Sequence, residues 1–217
     1  MKNIIVLGSG GHALNVIDLL LHEQKDYKPF GVLDPSAQGD ILGVPILGDD
    51  SLLESLLAKG IEYAFPAIGF GEGVDNRLRQ KIFEKVKSMR FKIPNLISSK
   101  AFIRSGVKMG EGNIIQAGSI IDSEVELEDN IALGFNVLIG HRCQIKSHVT
   151  FSGGVILNGG ITIGEGTFLG MGCMLYRNVG RWCKVSPGVA CLEEVPEEKI
   201  VFGHPVRYMP NLQVNIK

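Results

Sequence analysis

The chain has 217 residues, 21% of them charged, and a formal net charge of −1, so it offers no basic block of the kind that nucleic acid requires. No stretch of about 18 apolar residues is present to span a membrane, and Met1-Lys2-Asn3-Ile4 enters a strand directly, without a signal-peptide pattern. Cys143, Cys173, Cys183 and Cys191 lack CxxC spacing and read as structural thiols of a reducing compartment, which predicts a cytoplasmic protein.

Asn3-Ile4-Ile5-Val6-Leu7 predicts a short strand. Gly8-Ser9-Gly10-Gly11-His12 follows, and then Val16, Ile17, Leu20 and Leu21 share one helical face. Such a strand–glycine turn–helix lets a phosphate approach the amides of a helix N-terminus. Glycine-rich turns also serve packing alone, so both readings stand on these residues. Phe30-Gly31-Val32-Leu33-Asp34 is the second strand; its acid suits a ribose hydroxyl or base edge, or a turn before Pro35. Residues 43–48 form an edge strand or loop. Residues 49–59 read as a helix with Leu52, Leu53, Leu56 and Leu57 on one face and Asp49 or Asp50 as cap. Residues 63–69 are a further strand, made irregular by Pro66. Residues 76–89 are an amphipathic helix with Leu78, Ile82 and Val86 inward. Residues 1–95 therefore predict a small βαβ-type, Rossmann-like α/β domain with a parallel sheet.

From Ile97 onward the pattern changes. Every sixth residue is apolar: Ile97, Ile103, Met109, Ile115, Ile121, Leu127, Leu133, Ile139, Ile145, Phe151, Leu157, Ile163, Leu169 and Leu175. Two residues before each stands a small or β-branched one, such as Val125, Val137, Cys143 and Cys173. Strand side chains alternate in and out, so each pair i−2 and i lines one face of a prism, and three faces close one coil. Gly110, Gly134, Gly140, Gly164 and Gly170 follow at i+1, where they ease the corner. A lone coil cannot bury its face, so the repeat must be long. An ordinary β-sandwich would show turn signals without a fixed six-residue phase. Residues 96–217 are thus expected to form a parallel β-helix with a C-terminal tail. At residue 181 the phase is broken by Arg181; the next inward pair reads as Cys183 and Val185, with residues 176–182 a rearranged turn.

Chemistry in such a scaffold must come from outward residues. Of His12, His22, His141, His148 and His204, His141 stands near a prism corner, and Gly159 and Gly160 lie one coil further on. A base beside bare backbone N–H donors is what acyl transfer needs; an outward histidine is otherwise incidental. His141 and His148 fall on different faces and make no three-ligand cluster, so no metal is expected. No nucleophile elbow supports a Ser/His/Asp triad.

The hexad run resembles the hexapeptide-repeat acyltransferases, whose coils are left-handed. The whole chain is similar to the sialic acid O-acetyltransferase and bacillosamine N-acetyltransferase family. The likeness rests on Val6-Leu7-Gly8-Ser9-Gly10-Gly11-His12, Val32-Leu33-Asp34, Ala67-Ile68-Gly69 followed by Arg79, and Asn95-Leu96-Ile97. It rests also on His141 before Cys143, Gly159-Gly160 and Gly203-His204-Pro205. The resemblance implies an acetyl-CoA-dependent N-acetyltransferase of a nucleotide-linked 4-amino-4,6-dideoxy sugar, in bacterial surface glycan synthesis. Gly8, Ser9, Gly10, His12, Asp34 and Arg79 would lie at the acceptor nucleotide and His141 would be the general base. The backbone at Gly159 and Gly160 would bond the thioester oxygen. Gly203 and Pro205 would lie near the adenine end of the cofactor in a homotrimer. One position departs from the family: the residue after the histidine is commonly acidic and is here Arg142, for which Glu124, eighteen residues earlier, is the expected partner, with Asp122 nearby. The family's second functional histidine falls in this register on Thr150, not His148. The rival readings are sugar O-acetylation and a catalytically weak trimeric scaffold, which Arg142 would favour.

Overall fold

The computed structural model describes residues 1–69 and 76–203. The first part contains β1 (Lys2–Leu7), α1 (Gly11–His22), β2 (Tyr27–Leu33), β3 (Asp40–Ile41), β4 (Val44–Gly48), α2 (Leu53–Ala58), β5 (Tyr63–Pro66) and α3 (Asn76–Ser88). The sheet order is β3-β4-β2-β1-β5, all parallel except β3, which runs antiparallel to β4. Strand β1 is covered on both faces, so Ile4, Ile5 and Val6 are all buried and its sequence is a continuous apolar run. Asp49 caps the helical turn before α2, its Oδ1 accepting from the Ser51 amide at 2.9 Å.

Two helix faces differ from expectation. On α1, Leu19 is buried and Leu21 is exposed. On α3, Leu78 is exposed while Arg79, Phe83 and Val86 are buried. The reason is that α3 packs between the sheet and the second domain. Its Asn76 Nδ2 donates to the Gly166 carbonyl at 3.0 Å and its Arg79 Nη1 to Thr150 Oγ1 at 3.1 Å. A polar residue therefore occupies the stripe that an amphipathic count assigns to leucine.

Leu96–Ile97 is the first strand of a left-handed parallel β-helix. Its two-residue strands end on the hexad positions and pair eighteen residues apart, as in Ile121↔Ile139 and Ile139↔Leu157. From Ile115 to Leu175 the large inward residues are at most 3% exposed. Ile97, Ile103 and Met109 are only half-buried, because no earlier coil covers them. After Leu175 the coil shortens to sixteen residues: Leu169 pairs with Val185 and Leu175 with Cys191. Two residues are lost at one corner, and Val179 takes the inward slot there, with Cys183 and Val185 inward as expected. All four cysteines are free and buried in this interior.

The corner glycines serve a different purpose from the one expected. Left-handed φ falls at i+3, as at Gly154 (φ 71°), and includes Arg142 (φ 56°) and His148 (φ 65°). Glycine at i+1 is required by close approach instead: a Cβ on Gly140 would lie 2.7 Å from the Gly159 nitrogen of the next coil.

The outward residue of each strand gives the three faces different fates. On one face Leu96, Ile114 and Ala132 join the core of the first domain. On a second, Lys108, Glu126 and Gln144 meet solvent, and Lys108 pairs with Glu126 at 2.8 Å. On the third, Phe102, Ile120, Leu138, Ile156 and Met174 form an exposed apolar ridge along the coils.

Beside the apolar contact of Leu96, Ile114 and Ala132, the joint between the domains holds buried polar side chains. His148 makes a 2.9 Å hydrogen bond to Asn130 and an edge contact with the Phe83 ring, a structural role. Burial, then the nearby Arg79 charge, pushes His12 down to about 3 and His148 down to about 4; Glu84, Asp129 and Glu128 offset the latter only in part. Both folded values lie below the unfolded one, near 6.5. The unfolded chain therefore takes up protons first as pH falls, and stability is lost from about pH 6.5 down to about 4. The thermal midpoint should be roughly 5 °C or more lower at pH 5 than at pH 7. His148→Asn, which tolerates the left-handed backbone, should remove part of that drop. Calorimetry showing equal midpoints at the two pH values would contradict this.

Candidate active site

His141 sits at the corner that follows the apolar face, and its side chain is exposed. A Cβ built on Gly159 would lie 2.6 Å from His141 Nε2 and 2.7 Å from Cε1. The imidazole thus lies against the bare Cα of the next coil, a position open only because residue 159 has no side chain. The Gly160 amide is not a free donor, contrary to expectation: it donates to the His141 carbonyl at 2.8 Å and belongs to the coil-to-coil ladder. The Gly159 amide has no partner among the described residues, and Gly140 leaves the space beside it open. Leu138, Ile156, Met174 and Tyr176 complete a groove of about 300 Å³ around His141 and Gly159.

Arg142 is paired with Glu124. Its Nε meets Glu124 Oε2 at 2.7 Å, the expected pair one coil back. The hydrogen bond from Arg142, and then its charge, hold the Glu124 carboxyl below the usual range. Asp122 accepts from the Ser123 amide at 2.7 Å and lies 3.7 Å from Arg104. Neither carboxylate bonds the imidazole, whose ring nitrogens have no hydrogen bond among the described residues. His22 lies exposed beside Asp18. Among the described residues no group of three His, Cys, Asp or Glu could hold a metal ion.

Corner amides outside the ladder recur every coil and separate into two kinds. On the polar corner two are capped by carboxylates, the Glu111 amide by Asp129 and the Ser147 amide by Glu128, both at 2.9 Å. The amides of His141 and Gly159, and those of Phe135, Gly153 and Met171 on the remaining corner, carry no such cap among the described residues.

The second cavity, of about 700 Å³, lies between α1 and the β-helix. His12 and Asn15 line it from α1, and Gln116, Phe135, Asn136 and Met171 from the coils. The glycine turn leads to its rim. Gly8 has φ 105°, and a Cβ there would lie 3.0 Å from the Ala67 carbonyl oxygen, so this position requires glycine. Cβ atoms on Gly10 and Gly11 would meet nothing within 4 Å. Helix α1 has no side-chain cap and no acid in its first turn, which leaves its N-terminal amides open to an anion.

Three residues expected at the nucleotide, Ser9, Asp34 and Arg79, are engaged elsewhere. Asp34 Oδ2 accepts from the Ser9 amide and hydroxyl at 2.9 and 2.7 Å, and Oδ1 from the Ser36 amide and hydroxyl at 2.8 and 2.7 Å. These four bonds fill a carboxylate's acceptor sites, so Asp34 and Ser9 act here as the clasp of the turn. Burial opposes ionisation of Asp34, and the serine bonds outweigh it and hold the carboxyl low. Arg79 is fully buried against Thr150 and cannot touch a ligand in the cleft. Gly203 is exposed beside Val189, while His204 and Pro205 lie outside the described residues. The residues that sequence reasoning missed are Asn15, Gln116, Asn136 and Tyr176. Their one signal is that Gln116 is polar at the i+1 position where glycine recurs.

Residues 3–86 match the family described as PglD N-terminal domain. Over the whole length, PerB from Caulobacter crescentus, in complex with CoA and GDP-perosamine, is 29% identical with TM-score 0.85, covering 95% of this chain and 97% of that one. A variant of the perosamine N-acetyltransferase from the same organism is 28% identical with TM-score 0.87, over 95% and 96% of the two chains. The acetyltransferase domain of PglB from Neisseria gonorrhoeae, in complex with acetyl coenzyme A, is 25% identical with TM-score 0.83, over 96% and 99%. A comparison with curated protein sequences gives no match. With this fold, the likeness along the full chain and an imidazole set against a bare glycine, the chain is an acyltransferase built like the sugar N-acetyltransferases it resembles.

Proposed function

We propose that the protein transfers the acetyl group of acetyl-CoA to the amine of a nucleotide-linked 4-amino-4,6-dideoxy sugar, with His141 as general base. The observation that carries this reading is the His141 imidazole lying against Gly159 beside an amide outside the ladder. The acceptor amine, having shed its ammonium proton, attacks the thioester carbonyl. As the C–N bond forms, His141 takes the second proton from nitrogen. The Gly159 N–H bonds the carbonyl oxygen as it gains charge. Collapse of the tetrahedral intermediate expels the CoA thiolate, which recovers the proton from the imidazolium. The CoA and GDP-perosamine held by PerB, and the acetyl coenzyme A held by the PglB domain, support both substrates.

The nucleotide is placed at the Gly8–His12 turn, with its diphosphate on the α1 N-terminus and the sugar in the cleft beside His12; that cleft and the His141 groove open on different corners, so the amine meets the His141 of a neighbouring subunit. Gly203 and Pro205 are assigned to the adenine end of CoA. A thermal-shift panel of acetyl-CoA, GDP-perosamine and UDP-linked amino sugars tests the reading, since a specific ligand raises the midpoint by mass action. Gly10→Val should raise the acceptor KM about tenfold or more and leave the acetyl-CoA KM unchanged, because its side chain enters open space at the helix N-terminus. Equal loss of both ligands would make the turn purely structural.

The working unit is assigned as a homotrimer. The ridge of Phe102, Ile120, Leu138, Ile156 and Met174 is between 37% and 58% exposed on a single chain, and cyclic closure covers such a face. His141 stands at its edge, so a neighbouring subunit would wall the groove. Sedimentation should give a trimer at micromolar concentration; a monomer would contradict it.

A further inference from the structure

We propose that Gln116 selects the acceptor sugar: its carboxamide, buried at the cleft floor without a partner, hydrogen-bonds a neutral oxygen substituent of the sugar ring. This rests on the acceptor lying in the cleft, as argued above. A buried polar group is normally paired, and one left unpaired costs stability. Gln116 is 7% exposed, lines the cleft, and its Nε2 is buried with no hydrogen bond. Three other buried side chains with an unsatisfied polar atom, Asn113, Asn130 and Arg79, differ from it. Asn113 accepts from the Ile131 amide at 2.7 Å, Asn130 bonds His148, and Arg79 bonds Thr150, and none of the three lines the cleft. The Gln116 side chain makes no hydrogen bond to the described residues, and the residue lines a cavity large enough for a hexose.

The surroundings define what it bonds. Among the described residues no Asp, Glu, Lys or Arg lines the cleft, and Phe135, Phe168 and Met171 supply apolar surface. The uncapped amides of Phe135, Gly153 and Met171 stand on the same corner. Such a site takes a neutral ring with oxygen substituents and an apolar edge. A ring bearing a carboxylate would meet no cation among the described residues. The chemistry is that of an uncharged, partly deoxygenated hexose rather than a sugar acid.

The test is Gln116→Met, assayed with whichever of GDP-perosamine and a UDP-linked 4-amino-4,6-dideoxy sugar the wild type turns over. The acceptor kcat/KM should fall about tenfold or more. The acetyl-CoA KM and the Kd of the free nucleoside diphosphate should not change. The thermal midpoint of the free variant should equal or exceed that of the wild type, because no protein bond is lost. Unchanged acceptor kcat/KM, or a lower midpoint with parallel loss of nucleotide affinity, overturns the assignment. Ser152→Phe, which fills the cleft from a half-buried position, separates the two claims. If it blocks the acceptor while Gln116→Met does not, only the role of Gln116 fails. If it leaves the acceptor unaffected, the sugar is not in this cleft. If the wild type turns over neither sugar nucleotide, the proposed function fails and this assignment with it.

Discussion

His141→Asn is expected to lower kcat by at least about a hundredfold, the low end for a positioned general base. The fold should survive. His141 is exposed, its ring makes no hydrogen bond to the described residues, and its backbone is outside the left-handed region. Asparagine keeps a polar side chain of similar reach but cannot accept the amine proton. Both substrates should still bind, because the Gly159 amide and the glycine turn remain. A loss confined to kcat would mark an interaction that matters in the transition state. Near-normal turnover would leave the backbone donor and substrate positioning to carry the reaction alone.

Gly159→Ala should cost nearly as much, through geometry rather than chemistry. The added Cβ would lie 2.6 Å from His141 Nε2 and 3.0 Å from Cδ2. The ring must leave its seat, and displacement of a base by about 1 Å is enough to cost roughly a hundredfold. The backbone at 159 does not have positive φ, so the methyl group strains nothing in the chain itself. Thermal unfolding should therefore change little while kcat collapses. Because both substitutions disable one unit, the double variant should be scarcely worse than either single one. Full activity in Gly159→Ala would mean that the imidazole does not act from this position.

The architecture was legible because its signals are periodic. Six-residue spacing marks the inward positions of a β-helix directly, and Ile115 through Leu175 lie where that spacing places them. His141 and Gly159 were legible for the same reason: eighteen residues put them on adjacent coils. What periodicity does not constrain was missed or misread. Val179 went unseen because two residues drop from the corner before it, and the phase recovers only when the chain is folded. Gly160 looked as available as Gly159, yet one amide joins the ladder and the other does not. Asp34 read either as a ribose ligand or as a turn residue before Pro35, and its bond from the Ser36 amide is that of a turn, while the bonds from Ser9 come from a residue far away in the chain. Arg79 and Leu78 exchanged faces because α3 packs against two domains, whereas a helical count assumes one. Gln116 and the cleft over it are formed by residues far apart in the chain.

The central claim is an acetyl transfer from acetyl-CoA to a sugar amine. The most direct measurement incubates the purified protein with acetyl-CoA and a nucleotide-linked 4-amino-4,6-dideoxy sugar. It counts the CoA thiol released and identifies the product bond by nuclear magnetic resonance. One thiol per acetamide at the sugar amine, lost together in His141→Asn, is the predicted result. An acetyl ester, or thiol release without an acetylated sugar, would contradict it.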